Sequence, residues 1–184
     1  IMVFKNSLQL ANLCSKIGSG ATPRGGDASY KTEGISLIRS QNILDLVFSK
    51  DGLAFIDEKQ AKELANVEIK ERDVLINITG DSVARVCQVP NEILPARVNQ
   101  HVSILRADQK QLNPEYLKYY LLAKPVKELF LTFASTGATR KALTKGMLEE
   151  FEISVPPLPT QTRIASILSS LDDKIELNRR MNQT

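Results

Sequence analysis

Cysteine and histidine are scarce in this sequence of 184 residues, which holds only Cys14, Cys87 and His101 of those types. The cysteines are isolated, so there is no CxxC metal spacing and only a weak basis for a disulfide framework. A reducing cytoplasm is the expected location. His101 has no Cys or second His nearby with which to share a metal. It reads as a hydrogen-bonded histidine at the entrance to a strand. Long apolar runs are also absent, and no stretch approaches the roughly 20 residues of a membrane span. Ile1-Met2-Val3-Phe4-Lys5 lacks the basic start and continuous apolar run of a signal peptide. A chain opening on Ile1 rather than Met is expected to be either an engineered or an excised piece.

Catalytic signatures are similarly thin. Asp57 with Glu68-Ile69-Lys70 loosely resembles the Asp…Glu-x-Lys site of Mg²⁺-dependent nucleases, where two acids hold the metal and a lysine serves the attacking water. The pattern is short, and Glu68 to Asp73 reads more simply as a solvated, charged turn. Val155-Pro156-Pro157-Leu158 lacks the Asn or Asp before the prolines, and the aromatic after them, that an amino-methyltransferase motif requires. Gly18-Ser19-Gly20 lacks the third glycine and following helix of a dinucleotide site. No cofactor and no metal are expected, and the chain is expected not to be an enzyme on its own.

What is present is a balanced globular composition, 42% hydrophobic and 24% charged, with a net charge of +3. The positive charge is unevenly spread. Residues 134–148 carry Arg140, Lys141 and Lys145 without an acid, and residues 93–106 carry Arg97 and Arg106 without one. Locally basic loops on a nearly neutral chain suit contact with phosphate on one face.

The hydrophobic pattern predicts an α+β fold, a mixed or antiparallel sheet with flanking helices over residues 1–155. A short turn or helix at 8–13 leads into a strand near 14–17. Strands are expected at 35–38, 52–56, 73–78, 85–89, 101–105 and 151–155. Asp57 and Gln60 have capping-box spacing for a helix to about Ala65. Asn113-Pro114-Glu115 is a helix start, with Tyr116, Leu117, Tyr120 and Leu121 on one face. A second helix is expected over 125–133. Pro156-Pro157-Leu158-Pro159 reads as a rigid polyproline linker. From Thr160 there is no Gly or Pro, and Ile164, Leu168, Leu171, Ile175, Asn178 and Asn182 follow a coiled-coil spacing. A long C-terminal coiled-coil helix of roughly 37 Å follows.

Groups suited to base edges and phosphates collect at predicted strand ends. These are Arg24 in the glycine-rich loop, then Arg39, Gln41 and Asn42, then Thr79, Ser82 and Arg85. They continue with Arg97, Asn99 and Gln100, and end with Thr136, Thr139, Arg140, Lys141 and Lys145. Each taken alone is also an ordinary polar loop.

Taken in order, several segments resemble the target-recognition domain of type I restriction–modification specificity subunits. They are Gly20-Ala21-Thr22-Pro23, Ile38-Arg39-Ser40-Gln41-Asn42-Ile43, residues 73–80, Val98-Asn99-Gln100-His101-Val102 and residues 137–143. Residues 153–165, with Ile167, Leu168, Leu171 and Asp172, are similar to the start of that family's spacer helix. The resemblance covers nearly the whole chain, and its specificity lies in the order and spacing of the motifs. It implies a non-catalytic reader of one half of a split double-stranded DNA target. It also implies docking to methylation subunits, which bring S-adenosylmethionine, and to restriction subunits, which bring ATP-driven cleavage.

With one recognition domain and one helix at 156–184, the chain is expected to be half of a longer subunit or a natural half-subunit. A homodimer through Ile164, Leu168, Leu171, Ile175 and Asn178 is expected. Ala84 stands where the family often has Gly. The alternatives are a nuclease using Asp57, Glu68 and Lys70, or a coiled-coil scaffold with no DNA role.

Overall fold

A computed structural model describes residues 7–135 and 141–182. It is an α+β fold of three layers. The central layer is a four-stranded antiparallel sheet in the order β2-β8-β5-β6, formed by Cys14–Ser19 (β2), Val102–Ala107 (β8), Val74–Asn77 (β5) and Val86–Gln88 (β6). Below it lies a three-stranded sheet, β4-β3-β7, of Ala54–Ile56 (β4), Ile35–Ile38 (β3) and Ala96–Val98 (β7). The β3–β7 pair is parallel and the β3–β4 pair antiparallel. A small antiparallel pair, Ser7–Gln9 (β1) with Glu152–Ser154 (β9), joins the two ends of the segment that precedes the long C-terminal helix.

Helices cover the other face of the central sheet. Leu10–Leu13 (α1) links β1 to β2 on that face, whereas Glu58–Glu63 (α2) follows β4 and packs its Ala61 into the lower core. Pro114–Leu122 (α3), Lys124–Ser135 (α4), Lys145–Glu150 (α5) and Leu158–Met181 (α6) complete the set. The capping signals fold as read. Asp57 accepts from Gln60 N while Gln60 returns a bond to Asp57 N, and Asn113 Oδ1 accepts from Glu115 N and Tyr116 N. These bonds satisfy N–H groups that the first helical turn leaves free.

The continuous apolar run of β5 follows from its central place. Val74 and Ile76 pack with the helices, whereas Leu75 packs with Leu37, Ile38 and Ala54 of the lower sheet. A strand covered on both faces needs no polar side. Phe130 of α4 and Phe151 stack with ring centroids 4.3 Å apart in the upper core.

Several expectations are corrected. The segments 7–9 and 96–98 are strands that the apolar pattern did not reveal. The expected polyproline linker is shorter than read, because α6 begins at Leu158 with Pro159 in its first turn. Proline is favoured there because its missing N–H has no partner to lose. Residues 68–73 are not simply a solvated turn, since Ile69 and Asp73 are buried and Asp73 holds Arg106 through two bonds of 2.8 and 2.7 Å. Ala84 adopts φ 65° and is fully buried, yet its N–H still closes the turn on Asn77 O at 2.9 Å. The turn therefore keeps its tight form in the conformation that glycine adopts most readily.

The residues of the expected seam on α6 differ in burial. Ile164 packs against the upper core beside buried Ala165, and Leu168 is half-buried. The exposed large apolar residues of α6 are Ile167, Leu171, Ile175, Leu177 and Met181. Among the described residues, no helix is long and apolar enough to cross a membrane.

Candidate nucleic-acid interface

The antiparallel order of the central sheet places four loop attachments on one edge. β2 ends at Ser19, β8 starts at Val102, β5 ends at Asn77 and β6 starts at Val86. Their registers align, with Ser19 opposite Ser103, Asn77 opposite Val102 and Ile76 opposite Val86. The lower sheet contributes the ends of β3 and β7, where Ile38 lies beside Val98. Bonds between loops join these edges into one rim. Asn99 N donates to Ile38 O at 3.0 Å, and Gly20 N donates to Asn99 O at 3.1 Å. Ile78 N donates to His101 O at 2.9 Å, and Asn77 Nδ2 donates to Ser40 O at 2.9 Å.

Side chains continue the same frame. Thr22 Oγ1 donates to Gln100 Oε1. Gln100 Nε2 lies 3.1 Å from His101 Nε2, and His101 Nδ1 lies 2.7 Å from Thr79 Oγ1. A polar chain therefore crosses three loops, and His101 is its bridge at the start of β8. Gly20 makes the close approach possible, because a Cβ there would meet Val98 O at 1.6 Å. The turn after β5 is tied in turn to residues 141–143. Gly80 N donates to Lys141 O at 3.0 Å, and Leu143 N donates to Ile78 O at 2.8 Å.

The predicted contact residues divide into two groups. On the rim lie Arg24, Arg39, Gln41, Thr79, Ser82, Arg85, Gln100 and Lys141. Of these, Arg24, Arg85 and Lys141 make no ion pair with another described residue. Arg24, Gln41, Gln100 and Lys141 are exposed. Arg39 is half-committed, with Nη2 bonding Gly52 O at 2.6 Å and its guanidinium 5.3 Å from the Tyr30 ring centre.

The second group faces inward and does not present its polar atoms. Asn42 is fully buried and donates to Ser49 O and Asp51 O, while its Oδ1 accepts from Arg39 N. Asn99 is buried, and its Oδ1 accepts from His101 N at 3.0 Å. Arg97 is buried on β7, bonding Ala61 O, Ala96 O and Glu68 Oε1. The basic character read for residues 93–106 is therefore spent inside the fold, on Glu68 and Asp73. These residues shape the loops from behind. Lys145 sits on α5, beside Ser15–Ile17 of β2, and pairs with Glu149 at 3.2 Å. Thr136, Thr139 and Arg140 lie outside the described residues.

Two features were missed by reading the sequence. Thr22 belongs to the rim, and buried Asn77 anchors it from below. Their signals were weak, a threonine before a proline and an amide closing an apolar strand.

The acids considered for a metal have other work. Asp57 caps α2 and pairs with Lys31 at 3.4 Å, and the bond from Gln60 N holds its carboxyl below the usual range. Glu68 pairs with Arg97. Among the described residues no group of three His, Cys, Asp or Glu is placed to hold a metal.

Comparison with known proteins fits this geometry. The HindI type I restriction enzyme specificity subunit of Haemophilus influenzae is 29% identical over 121 residues, 65% of this chain and 26% of that protein. The MjaIX specificity subunit of Methanocaldococcus jannaschii is 27% identical over 171 residues, 91% of this chain and 38% of that protein. The chain thus spans well under half the length of these relatives. Among solved structures, the HsdS subunit from Thermoanaerobacter tengcongensis superposes with a TM-score of 0.65 at 20% identity, covering 96% of this chain and 39% of that one. A chain from a structural study of type I R-M assembly and conformational transition gives a TM-score of 0.72 at 22% identity, covering 96% and 40%. These structures bear on the fold alone. Residues 6–184 match the type I restriction modification DNA specificity domain, and this chain belongs to that family.

Proposed function

We propose that this chain reads one half of a bipartite double-stranded DNA target with its strand-end rim. The observation that carries the reading is the convergence of loops from two sheets on one edge, with the side chains of Arg24, Arg85 and Lys141 free of ion pairs to described residues. Long polar side chains on a rigid frame can meet base edges, and unpaired cations can meet phosphates. Arg24, Arg39, Gln41, Thr79, Ser82, Arg85, Gln100 and Lys141 are the proposed contacts.

The chain acts as a specificity module and leaves chemistry to methylation and restriction subunits that dock on it. The exposed apolar residues of α6, centred on Leu171 and Ile175, pair with a second helix, here that of another copy of the chain. The cytoplasm keeps Cys14 and Cys87 reduced.

Selection of bound sequences from random duplex DNA by the purified chain tests the reading. A recurrent motif is expected, and Arg85→Ala should relax it at one position. Recovery of random sequence from the wild type would sink the proposal.

A further inference from the structure

Helix α6 docks on its own domain through polar as well as apolar side chains. The face against its own domain presents Ile164, Ala165 and half-buried Leu168 together with the polar Gln161, Ser169 and Asp172, whereas Ile167, Leu171 and Met181 are exposed. Apolar contact is non-directional and tolerates sliding. Hydrogen bonds fix both distance and angle.

The docking bonds are directional at two places. Gln161 is fully buried, and its Oε1 accepts from Asn113 N at 2.8 Å. Its Nε2 donates to Gln111 O at 2.9 Å and Pro156 O at 2.8 Å. Further along the helix, Tyr119 of α3 donates its hydroxyl to Asp172 Oδ2 at 2.5 Å. The two attachments stand about 16 Å apart along the axis. Burial and the Asp172 carboxylate both hold the Tyr119 phenol in its protonated form, the one that donates.

We propose that Gln161 and the Tyr119–Asp172 bond are positioning residues for target spacing. They fix the direction in which α6 leaves the domain, and thereby the gap accepted between two half-sites. The inference rests on the reading of the chain as half of a bipartite reader. Leverage makes the angle matter. On a helix of about 36 Å, a tilt of about 5° moves the far end by about 3 Å, close to one base-pair step. One attachment would leave a hinge, whereas two remove it.

The test is made on the full chain with duplexes carrying two copies of its selected half-site at different gaps. Wild type should prefer one gap. Tyr119→Phe and Asp172→Ala should each reduce the preference over neighbouring gaps by about tenfold, as loss of one directional bond allows. Asp172→Asn, which keeps an acceptor, should restore it, and the half-site sequence should not change. An unchanged gap profile overturns the proposal, as does an equal loss of binding at every gap.

A second measurement separates the clamp from the reader. Spin labels at exposed Asn66 and Leu177, each replaced by Cys, report the angle of α6 to the domain. Burial pushes the thiols of Cys14 and Cys87 up to about 12, which keeps them from the label. A narrow distance distribution is expected, broadened by Tyr119→Phe. If the wild type selects no gapped motif, the reader function fails and spacing control fails with it. If a gapped motif appears but the distribution stays narrow in Tyr119→Phe, the clamp alone is overturned.

Discussion

Asn77 Nδ2 donates to the carbonyl of Ser40 at 2.9 Å, so the last residue of β5 in the central sheet holds the loop that follows β3 in the lower one. The amide is fully buried. Asn77→Ala leaves the Ser40 carbonyl without this donor, and a buried unsatisfied group costs about 1–3 kcal/mol. Urea unfolding should show that loss, and proteolysis should find new cleavage near Gln41. A stability within 0.3 kcal/mol or so of wild type would show that the bond contributes nothing net.

Arg85 and Arg97 should behave oppositely. Arg97 is enclosed and bonded to Glu68, whereas Arg85 has no ion pair with a described residue. Arg97→Ala should lower stability by about 1–3 kcal/mol through its lost bonds. Arg85→Ala should leave thermal unfolding unchanged and reduce discrimination among sequences by about 1–3 kcal/mol. Parallel melting and binding titrations distinguish the two, and equal effects of both substitutions on stability would contradict the division.

Lys141 is exposed beside the Gly80 turn. If it meets a phosphate, Lys141→Ala weakens all duplexes alike and flattens the slope of log affinity against log salt by about 0.9. Binding isotherms across a salt series give that slope directly. An unaltered slope removes Lys141 from the phosphate contacts.

Leu171 is half exposed at the centre of the free apolar face of α6. Leu171→Asp should convert a dimeric chain to a monomer in sedimentation while leaving the unfolding of the recognition domain intact. A monomeric wild type at high concentration would dispose of the homodimer.

The two cysteine thiols predict an alkaline limb in the stability profile. Burial raises Cys87 from an ordinary 9.0 to about 12, and Cys14 likewise. The unfolded chain loses these protons first, so it binds fewer protons than the native state and stability falls as pH rises. The contribution is complete below about pH 8 and declines from pH 9 toward 12. Cys87→Ala should make that decline shallower, read as urea midpoints between pH 7 and 11. An identical slope in the variant would count against the thiol.

Local chemistry carried much of this fold in the sequence. Asp57 and Gln60 announced α2 because a cap is a contact between near neighbours. The run 74–76 announced a doubly covered strand. Arg97 was misleading because the acid that neutralises it, Glu68, is far away in sequence and meets it only after folding. β7 was hidden for the same reason, since a buried arginine breaks the apolar pattern of a three-residue strand. The spacing on α6 gave a stripe but not which side of it the domain occupies, so the packing of Ile164 on the core was not legible. The loops were legible as candidates, and their assembly into one rim depended on strand order, which the pattern does not encode.

Gly20 has a practical consequence for redesign. Its contact with the Val98 carbonyl leaves no room for a side chain, so the glycine-rich loop and the loop after β7 form one mechanical piece. A new preference for sequence cannot be obtained by reshaping either loop alone. Exchange should be confined to outward side chains such as Arg24 and Arg85, with Gly20, Asn77 and Asn99 retained as a fixed chassis.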